Sequence, residues 1–173
     1  MLFDFLTFKV VTVYLGLGSN LGDREANLRR VIDLLKGKVW VNKVSSLYET
    51  EPVGWGPQPL FLNAACQGTT FLSPKELLAF IKGIERAMGR AESFPNAPRI
   101  IDIDMLLYSD QIFTTPELTI PHPRLEERAF VLVPLAEIAP ELIHPLSRRA
   151  IKDLAEGVVG LEGVKKKSAK IKS

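Results

Sequence analysis

The sequence is short of cysteine and has no apolar run long enough to cross a membrane. Cys66 is the single cysteine among 173 residues, so no disulfide can form within the chain. Disulfide frameworks are typical of secreted proteins, and their absence favours a cytoplasmic protein. The apolar stretch from Val10 to Leu21 is too short and too rich in glycine to span a bilayer. The N-terminal MLFDFLTF lacks the basic residues of a signal peptide. We therefore expect no membrane partner.

Net charge is also small, and it is unevenly distributed. The chain carries 22 lysine and arginine residues against 20 aspartate and glutamate residues, a net charge of +2. Five of the lysines lie in KKKSAKIKS, residues 165–173, so the rest of the chain is mildly acidic. Such a tail can bind nucleic acid or a membrane, or remain a disordered, solubilising extension. We expect the second, with a single domain over residues 1–164 in which residues 1–8 form a loose leader.

The order of strand-like and helix-like segments predicts the fold class. Ser73, Pro74 and Glu76 form the capping box of one predicted helix, and apolar residues recur at helical spacing in both helices. The order βαββαβ is that of a ferredoxin-like α+β fold, a single antiparallel sheet with helices packed on it. We predict strands at 10–17, 39–50, 61–71 and 99–109, helices at 24–37 and 73–89, and added C-terminal helices at 126–138 and 147–156.

Two aspartates lie inside the last predicted strand, RIIDIDMLL at residues 99–107. Because side chains alternate along a strand, Asp102 and Asp104 share one face, while Ile101 and Ile103 share the other, which we expect to be the core side. The two carboxylates would lie about 6 to 7 Å apart. Like charges at that distance repel unless a cation lies between or beside them.

Two interpretations of this pair remain open from the residues alone. A half-exposed strand commonly alternates apolar and polar residues, and a lone D-x-D is a weak motif. Against that interpretation, Ile100 and Leu106 flank the aspartates on their own face, and aspartate is depleted in strands. The alternative is a magnesium site, because Mg²⁺ takes one or two carboxylates together with phosphate oxygens. Arg99 would then be available for a substrate phosphate.

Two long loops, at residues 51–59 and 90–98, each contain a bulky aromatic residue, Trp55 or Phe94. Function concentrates on loops held by a rigid scaffold. In an antiparallel sheet with helices on one face, the other face can hold a ligand, and the aspartate pair would point there. We expect both loops to close over the substrates as lids.

Several stretches together resemble one family, in its own order and over almost the whole chain. The sequence resembles 6-hydroxymethyl-7,8-dihydropterin pyrophosphokinase, an enzyme family of folate biosynthesis. The stretches that carry the resemblance are LGLGSNLGDREANL (15–28), SSLYETEPVGWGPQPLFLNAA (45–65), IERAMGR (84–90), PRIIDIDMLLY (98–108) and LTIPHPRLEERAFVLVPLAEIAPELIHP (118–145).

The resemblance implies a reaction and its cofactors. The family transfers a pyrophosphoryl group from ATP to the 6-hydroxymethyl group of the reduced pterin and releases AMP, with the help of two Mg²⁺ ions. Asp102 and Asp104 match the metal ligands of the family. Four basic residues match positions that hold phosphate oxygens, and two of them, Arg90 and Arg99, count with the aspartates as catalytic. The four are Arg90, Arg99, His122 and Arg128.

The resemblance also implies two sets of binding residues. Around the pterin, polar edges and aromatic walls would enclose a flat ring, with Asp102 near the hydroxymethyl group. The pterin set is Thr50, Val53, Phe61, Asn63, Asp102 and Phe130. The further residues of the nucleotide set are Lys82, Glu85, Met105, Leu118 and Thr119.

Structural explanations stand beside these assignments. Phe61 and Phe130 can be ordinary core residues. His122 can be a turn residue, and Arg128 a surface charge of a helix. Asn63 is harder to explain in this way, because asparagine is disfavoured inside a strand.

The chain departs from the family between Arg90 and Arg99. Glu92 and Pro95 occupy positions where arginine is common, and Asn96 a position where tryptophan is common. We therefore expect weaker closure over ATP, or slower turnover, than in a relative with a basic loop. An alternative function is a catalytically weak module of the same fold that binds nucleotide or pterin. A nucleic-acid binder ranks last, because the fourth strand presents aspartates rather than aromatic residues. We expect a monomer.

Overall fold

The computed structural model describes residues 9–54, 56–90 and 95–168. A six-stranded sheet contains β1 (Val11–Ser19), β2 (Trp40–Val44), β3 (Leu47–Thr50), β4 (Phe61–Thr70), β5 (Asp102–Tyr108) and β8 (Lys165–Ser168). The strand order is β5-β1-β4-β3-β8, β2 also pairs with β4, and every pairing is antiparallel. β6 (Phe113–Thr114) and β7 (Thr119–Ile120) form a separate two-stranded ribbon.

Helices cover both faces of the sheet. α1 (Arg24–Leu35) and α2 (Pro74–Ala87) pack on the first face, where β1 contributes Val13 and Leu15 to the core. α3 (Ala129–Ile138) and α4 (Ile151–Gly157) pack on the second face. The ferredoxin-like α+β prediction is confirmed. The expected open second face is reduced to one end of the sheet, because the nearly all-apolar α3 buries the rest.

The predicted helix starts are confirmed by their caps. The Asp23 side chain accepts a hydrogen bond from Ala26 N at the start of α1. At the start of α2, Ser73 Oγ accepts from Glu76 N, and the Glu76 carboxylate accepts from Ser73 N. These short-range pairs satisfy backbone N–H groups that have no partner within the helix.

The predicted strand over residues 39–50 is wrong as one element. It is divided at Ser45 and Ser46 into β2 and β3, which pair with successive halves of β4. Ser45 Oγ accepts a hydrogen bond from Ala65 N, and the Glu137 carboxylate of α3 accepts from Ser46 N. The break therefore depends on a residue 91 positions away in sequence.

The basic tail departs from expectation in its first residues. Lys165–Ser168 form β8, which pairs with β3, and Lys167 Nζ lies 3.0 Å from Glu49 Oε2. The prediction of a disordered tail from residue 165 is therefore wrong for residues 165–168. Residues 169–173 and the leader at 1–8 lie outside the described residues, and the single domain over 1–164 stays a prediction.

Candidate active site

Most of the predicted site residues gather at one end of the sheet. β1 and β3 end there, while β4 and β5 begin there. Antiparallel pairing therefore brings positions 19, 50, 61 and 102 of the chain to neighbouring strand ends, although up to 83 positions separate them in sequence.

The aspartate pair faces the second side of the sheet, as its spacing predicts. Ile103 is buried in the core of the first face, and Asp102 and Asp104 point away from that core. In the register of β1 and β5, Gly18 is opposite Asp102 and Gly16 is opposite Asp104. Neither glycine places a side chain beside a carboxylate, although the Leu106 side chain fills the space next to Gly16, 3.4 Å from where a Cβ would lie.

The two carboxylates differ in their partners. Asp102 Oδ1 lies 2.8 Å from Arg90 Nη1, and Asp102 Oδ2 lies 3.7 Å from Arg99 Nη1. Within the described residues, no hydrogen bond or ion pair reaches Asp104. Burial, and next the negative charge of Asp102, raise the pKa of Asp104 to about 6, although Arg128 and Lys82 act in the opposite direction. Asp104 is thus a carboxylate with positive charges near it but with no ion-pair partner among the described residues.

Glu85 of α2 is a buried third carboxylate beside the pair. Its Oε1 accepts hydrogen bonds from Arg90 Nη1 at 2.6 Å and from the backbone N of Ile103 at 2.9 Å. Its Oε2 lies 3.1 Å from Lys82 Nζ. Glu85 therefore ties α2 to β5 at the residue between the two aspartates.

Asn20, at the end of β1, holds Arg99 in place. Asn20 N donates to Arg99 O, and Asn20 Oδ1 accepts from Arg99 N at 2.8 Å. The Asn20 amide also donates to Gln58 Oε1, and Gln58 Nε2 donates to Asn96 O. A single residue of the β1–α1 turn thus connects both long loops.

The loops also meet at Gly54, which has a φ of +103°. A Cβ atom there would lie 2.9 Å from Asn96 Nδ2, so both the backbone conformation and the close contact favour glycine. Pro95 and Asn96 form a turn. Trp55, Glu92 and Phe94 lie outside the described residues, so their predicted roles have no structural description.

Four of the predicted pterin residues line the start of β4 and its neighbours. Asn63 Nδ2 donates to Thr50 Oγ1 at 2.7 Å, and both residues are buried. Phe61, two residues before Asn63, shares its face. A Cβ on Gly18 would lie 3.0 Å from Asn63 Oδ1 and 3.5 Å from Phe61 Cδ1. Gly18 therefore keeps open the space between Asn63 and Asp102. Val53 is exposed on its loop.

Arginines lie over both predicted aromatic walls. Arg99 Cζ is 5.7 Å from the ring centre of Phe61, and Arg128 Cζ is 5.6 Å from that of Phe130. Each is within the range of a cation–π contact. Among the described residues, the buried Nε of Arg99 has no hydrogen-bond partner. A donor in that position is suited to an anionic ligand.

His122 is a neutral donor near neutral pH. Burial, and next the positive charge of Arg128, lower its pKa to about 4. Its Nδ1 accepts a hydrogen bond from Arg124 N at 3.1 Å, which assigns the ring proton to Nε2. A neutral imidazole can therefore donate from Nε2 to a phosphate oxygen.

The predicted nucleotide residues lie around the outer edge of β5. Lys82 and Glu85 belong to α2. Thr119 begins β7, and Leu118 is the residue before it. Both α2 and β7 contact β5. The Met105 side chain is buried in the core of the first face. Only the backbone of Met105, which lies on the open edge, can reach a nucleotide.

The donor set fits a metal that shares its coordination with a ligand. Within the part of the chain that the structure describes, no cluster of three or more His, Cys, Asp or Glu side chains could hold a metal alone. Two adjacent carboxylates, one of them without an ion-pair partner among the described residues, fit Mg²⁺, because Mg²⁺ combines few carboxylates with phosphate oxygens and water. Asp102 and Asp104 would hold it.

Comparison with known proteins gives the family. Residues 14–140 match the family model of 7,8-dihydro-6-hydroxymethylpterin-pyrophosphokinase, HPPK. The chain belongs to this family. A relative from Aquifex aeolicus, 2-amino-4-hydroxy-6-hydroxymethyldihydropteridine pyrophosphokinase, is 45% identical over 83% of this chain and 90% of its own length. The Bacillus subtilis protein of the same name is 47% identical over 75% of this chain and 78% of its own.

Other relatives are much longer than this chain. The folic acid synthesis protein FOL1 of Dictyostelium discoideum is 47% identical over 77% of this chain, which spans 20% of that protein. A crystal structure of Plasmodium falciparum HPPK-DHPS with pteroate matches the fold with a TM-score of 0.71 and 19% identity. That match covers 86% of this chain and 42% of the Plasmodium chain. Among the described residues, no helix is long and apolar enough to cross a membrane.

Three residues of the site were missed from the sequence: Gly16, Gly18 and Asn20. The two glycines alternate inside a strand, which is a signal of close approach by a ligand or backbone. That signal lies in YLGLGSN, at the end of the predicted strand 10–17 and just after it. Asn20 gave no comparable signal, because asparagine after a strand is common in turns.

Proposed function

We propose that this protein transfers a pyrophosphoryl group from ATP to the 6-hydroxymethyl group of 6-hydroxymethyl-7,8-dihydropterin, giving the pterin diphosphate and AMP in tetrahydrofolate biosynthesis. Family membership supports the reaction and ATP as co-substrate. The structural observation that carries the proposal is the open pair Asp102 and Asp104 with basic side chains around it. Two carboxylates surrounded by basic side chains suit a metal-bound polyphosphate, because the carboxylates can bind the metal and the basic groups the phosphates.

The Mg²⁺ requirement is part of this proposal. Two bound Mg²⁺ ions would neutralise phosphate charge and stabilise both the attacking and the leaving oxygen. Asp102 and Asp104 would hold them. The residues of the chain then have to place the two substrates in line, since phosphoryl-type transfer depends on positioning and on charge stabilisation more than on covalent help.

The basic side chains would bind the phosphate oxygens that the metals leave. Arg90 and Arg99 offer planar guanidinium groups, which suit bidentate contacts with phosphate. Arg128 lies near enough to Asp104 for its positive charge to act against the rise in the pKa of that carboxyl. His122 donates from Nε2 as a neutral group, so it adds a hydrogen bond without adding charge. The charge that develops on the leaving AMP oxygen is stabilised by this group of donors.

The pterin would lie on the open surface beside Gly18. Asn63 both donates and accepts, which suits the pyrimidine edge of a pterin, and Thr50 fixes its orientation. Phe61 and Phe130 would stack on the ring, with Val53 closing one side from its loop. Asp102, across Gly18 from Asn63, would orient the hydroxymethyl group. Its oxygen attacks the β-phosphorus, the bond to the α-phosphate oxygen breaks, and the hydroxyl proton is released.

The nucleotide would occupy the outer edge of β5. Among the described residues, β5 pairs with β1 on one edge and with no strand on the other, so the Met105 backbone can bind an adenine base there. Lys82, Leu118 and Thr119 surround that edge. The Glu85 carboxylate already accepts hydrogen bonds from Lys82, Arg90 and Ile103 N. It would therefore position these protein groups rather than bind the nucleotide directly.

Two further properties belong to the proposal. We place the protein in the cytoplasm, because its cysteine usage and apolar runs favour that compartment. We also propose that it acts as a monomer. A sedimentation equilibrium run that returns the 19.2 kDa mass of one chain would support this, and a stable dimer mass would contradict it.

The function is tested by identifying the nucleotide product. The protein is incubated with ATP, Mg²⁺ and 6-hydroxymethyl-7,8-dihydropterin, and AMP is separated from ADP. We expect AMP that depends on the pterin and that is lost in Asp102→Ala and Asp104→Ala. Asp153→Ala removes an exposed aspartate of α4 and serves as the matched control. Formation of ADP would contradict pyrophosphoryl transfer. Tight binding of both substrates without turnover would favour a binding module.

A further inference from the structure

One nitrogen of Arg90 is shared by two carboxylates. Arg90 Nη1 lies 2.6 Å from Glu85 Oε1 and 2.8 Å from Asp102 Oδ1. Both distances are those of charge-assisted hydrogen bonds. A guanidinium group thus occupies an oxygen of the carboxylate that the proposed function needs for a metal.

The two carboxylates hold Arg90 unequally. Glu85 is 3% exposed and is fixed by Ile103 N and Lys82 as well as by Arg90. Asp102 lies at the mouth of the site, where its side chain is 27% exposed. A ligand that enters from solvent reaches the contact with Asp102 first, whereas the contact with Glu85 lies behind it.

Charge around the pair is unequal in the same way. Asp102 has Arg90 and Arg99 as counter-ions, whereas among the described residues Asp104 has none within ion-pair distance. A divalent cation can therefore bind Asp104 without displacing any side chain. To bind both aspartates, it either takes Oδ1 of Asp102 in place of Arg90 or lies at Oδ2, where its charge repels Arg90 and weakens the contact.

We propose that Arg90 is an internal cation that neutralises Asp102 while no metal is bound, and that Glu85 retains Arg90 beside the site after a metal displaces it. Arg90 then needs to break only one of its two contacts. Its remaining donors can then turn toward the incoming phosphate. Because the contact with Glu85 keeps the Arg90 side chain at the site, the side chain does not first have to return from solvent. Glu85 is in this account a positioning residue. The inference rests on the proposed function, since it assigns the metal to the aspartate pair.

The competition is tested by metal binding in the absence of nucleotide and pterin. Mn²⁺, which has the same charge and a strong spin signal, is titrated into the full-length protein and free Mn²⁺ is measured by electron paramagnetic resonance. We expect Arg90→Met to bind Mn²⁺ about two- to fivefold more tightly than the wild type, given the strength of partly exposed ion pairs. Arg86→Met removes the same charge from an exposed position of α2 and should change the affinity less than about twofold.

A second comparison tests whether the tighter Mn²⁺ binding expected in Arg90→Met involves Asp102. If Arg90 competes for Asp102, the tightening caused by Arg90→Met disappears in an Asp102→Ala background. A gain that persists there, no gain at all in Arg90→Met, or an equal gain in Arg86→Met would each overturn the proposal. Because no substrate is present, these results are independent of whether the protein forms AMP, so failure of the inference and failure of the proposed function are distinguishable.

Retention by Glu85 has its own readout. Side-chain nitrogen NMR of Arg90 reports how freely its guanidinium rotates. In the wild type we expect rotation to stay hindered after a saturating amount of Mg²⁺ is added, because the contact with Glu85 persists. In Glu85→Gln, whose amide oxygen can still accept from Ile103 N, rotation should become free once Mg²⁺ binds. Hindered rotation in both proteins, or free rotation in the wild type, would contradict the role given to Glu85.

Discussion

Two carboxylates near opposite ends of α3 differ in how completely they are bound. Glu137, in the last turn of α3, accepts hydrogen bonds from Ser46 N, Ser46 Oγ and Tyr48 OH. Asp104, near Arg128 at the start of α3, has no such donor among the described residues. Burial acts to raise the pKa of Glu137, but the hydrogen bonds from Tyr48 and Ser46 outweigh it and the pKa is lowered. For Asp104, burial prevails and the pKa rises to about 6.

The difference separates a structural carboxylate from a functional one. Glu137 stabilises the break between β2 and β3, and its hydrogen bonds leave no need for a ligand. Asp104 costs the fold stability in its charged form, because Arg128 and Lys82 offset only part of the effect of burial and of the Asp102 charge. A charge that destabilises the ligand-free protein is retained where a ligand supplies the compensation. A carboxylate therefore has a structural role where hydrogen bonds compensate its charge, and a ligand-binding role where they do not.

The largest expected effect is that of Asp104→Asn. We expect AMP formation to fall by about three orders of magnitude, because charge stabilisation by a bound metal contributes several kcal/mol. The same change should raise the free energy of unfolding at pH 7 by roughly 1 to 3 kcal/mol, since it removes a carboxylate whose pKa lies above its unfolded value. Activity and urea denaturation are measured on the same preparations.

The pH dependence checks the cause of that stabilisation. The folded pKa of Asp104, about 6, is above the ordinary aspartate value of 3.8, so the folded state binds the proton more tightly. Stability due to this group falls as pH rises from about 4 to 6. The advantage of Asp104→Asn should therefore be small at pH 4 and complete near pH 7. An advantage that does not change with pH would assign it to packing instead.

Glu137→Ala should give the converse result. Removing the acceptor leaves Tyr48 OH and Ser46 N without a partner, so we expect a loss of about 2 to 4 kcal/mol in the free energy of unfolding at pH 7. The pKa of Glu137 is lowered on folding, so its contribution is present above the unfolded pKa and is lost as pH falls through the folded one. The KM for both substrates should stay within about twofold. Tyr48→Phe, which keeps the carboxylate, is the milder control.

Gly18→Ala sharpens the contrast within the site itself. A Cβ atom there meets Asn63 Oδ1 at 3.0 Å and Phe61 Cδ1 at 3.5 Å, in the space assigned to the pterin. We expect the KM for the pterin to rise about tenfold while the KM for ATP changes little. Steady-state kinetics with each substrate varied in turn measures both values. An equal rise in the two would place the pterin elsewhere.

Glu92→Arg should have the smallest effect. Glu92 lies outside the described residues, and the expectation from the sequence that its negative charge would repel the triphosphate stays a prediction. We expect kcat/KM for ATP to rise by about two- to fivefold, and more strongly at low ionic strength. No change in kcat/KM for ATP would show that Arg90 and Arg99 suffice.

Features governed by short-range rules could be predicted from the sequence. The facing of Asp102 and Asp104 follows from the two-residue period of a strand, and the start of α2 follows from the capping box at Ser73. The division of residues 39–50 could not be predicted, because the local pattern is continuous and Glu137 decides it from α3. Likewise, the sequence of Lys165–Ser168 is typical of a solvated tail, and its strand conformation depends on pairing with the edge of β3.

Within the site, residue identities were easier to predict than their contacts. The aspartates and arginines were all assigned, but the sharing of Arg90 between Glu85 and Asp102 has no sequence signal. Long side chains on a helix end can reach several positions, and only the packing of α2 against β5 selects one. The role of Asn20 in holding Arg99 is hidden for the same reason.

The most direct measurement is a crystal structure of the protein with Mn²⁺, α,β-methylene-ATP and the pterin, with metals located by anomalous scattering. The methylene group replaces the oxygen whose bond would break, so both substrates remain intact. We predict two anomalous peaks bridging Asp102 and Asp104 to the phosphates, with Arg90 moved off Asp102 and Glu137 still bound to Ser46 and Tyr48. Metals held away from either aspartate, with the phosphates elsewhere on the sheet, would contradict the account.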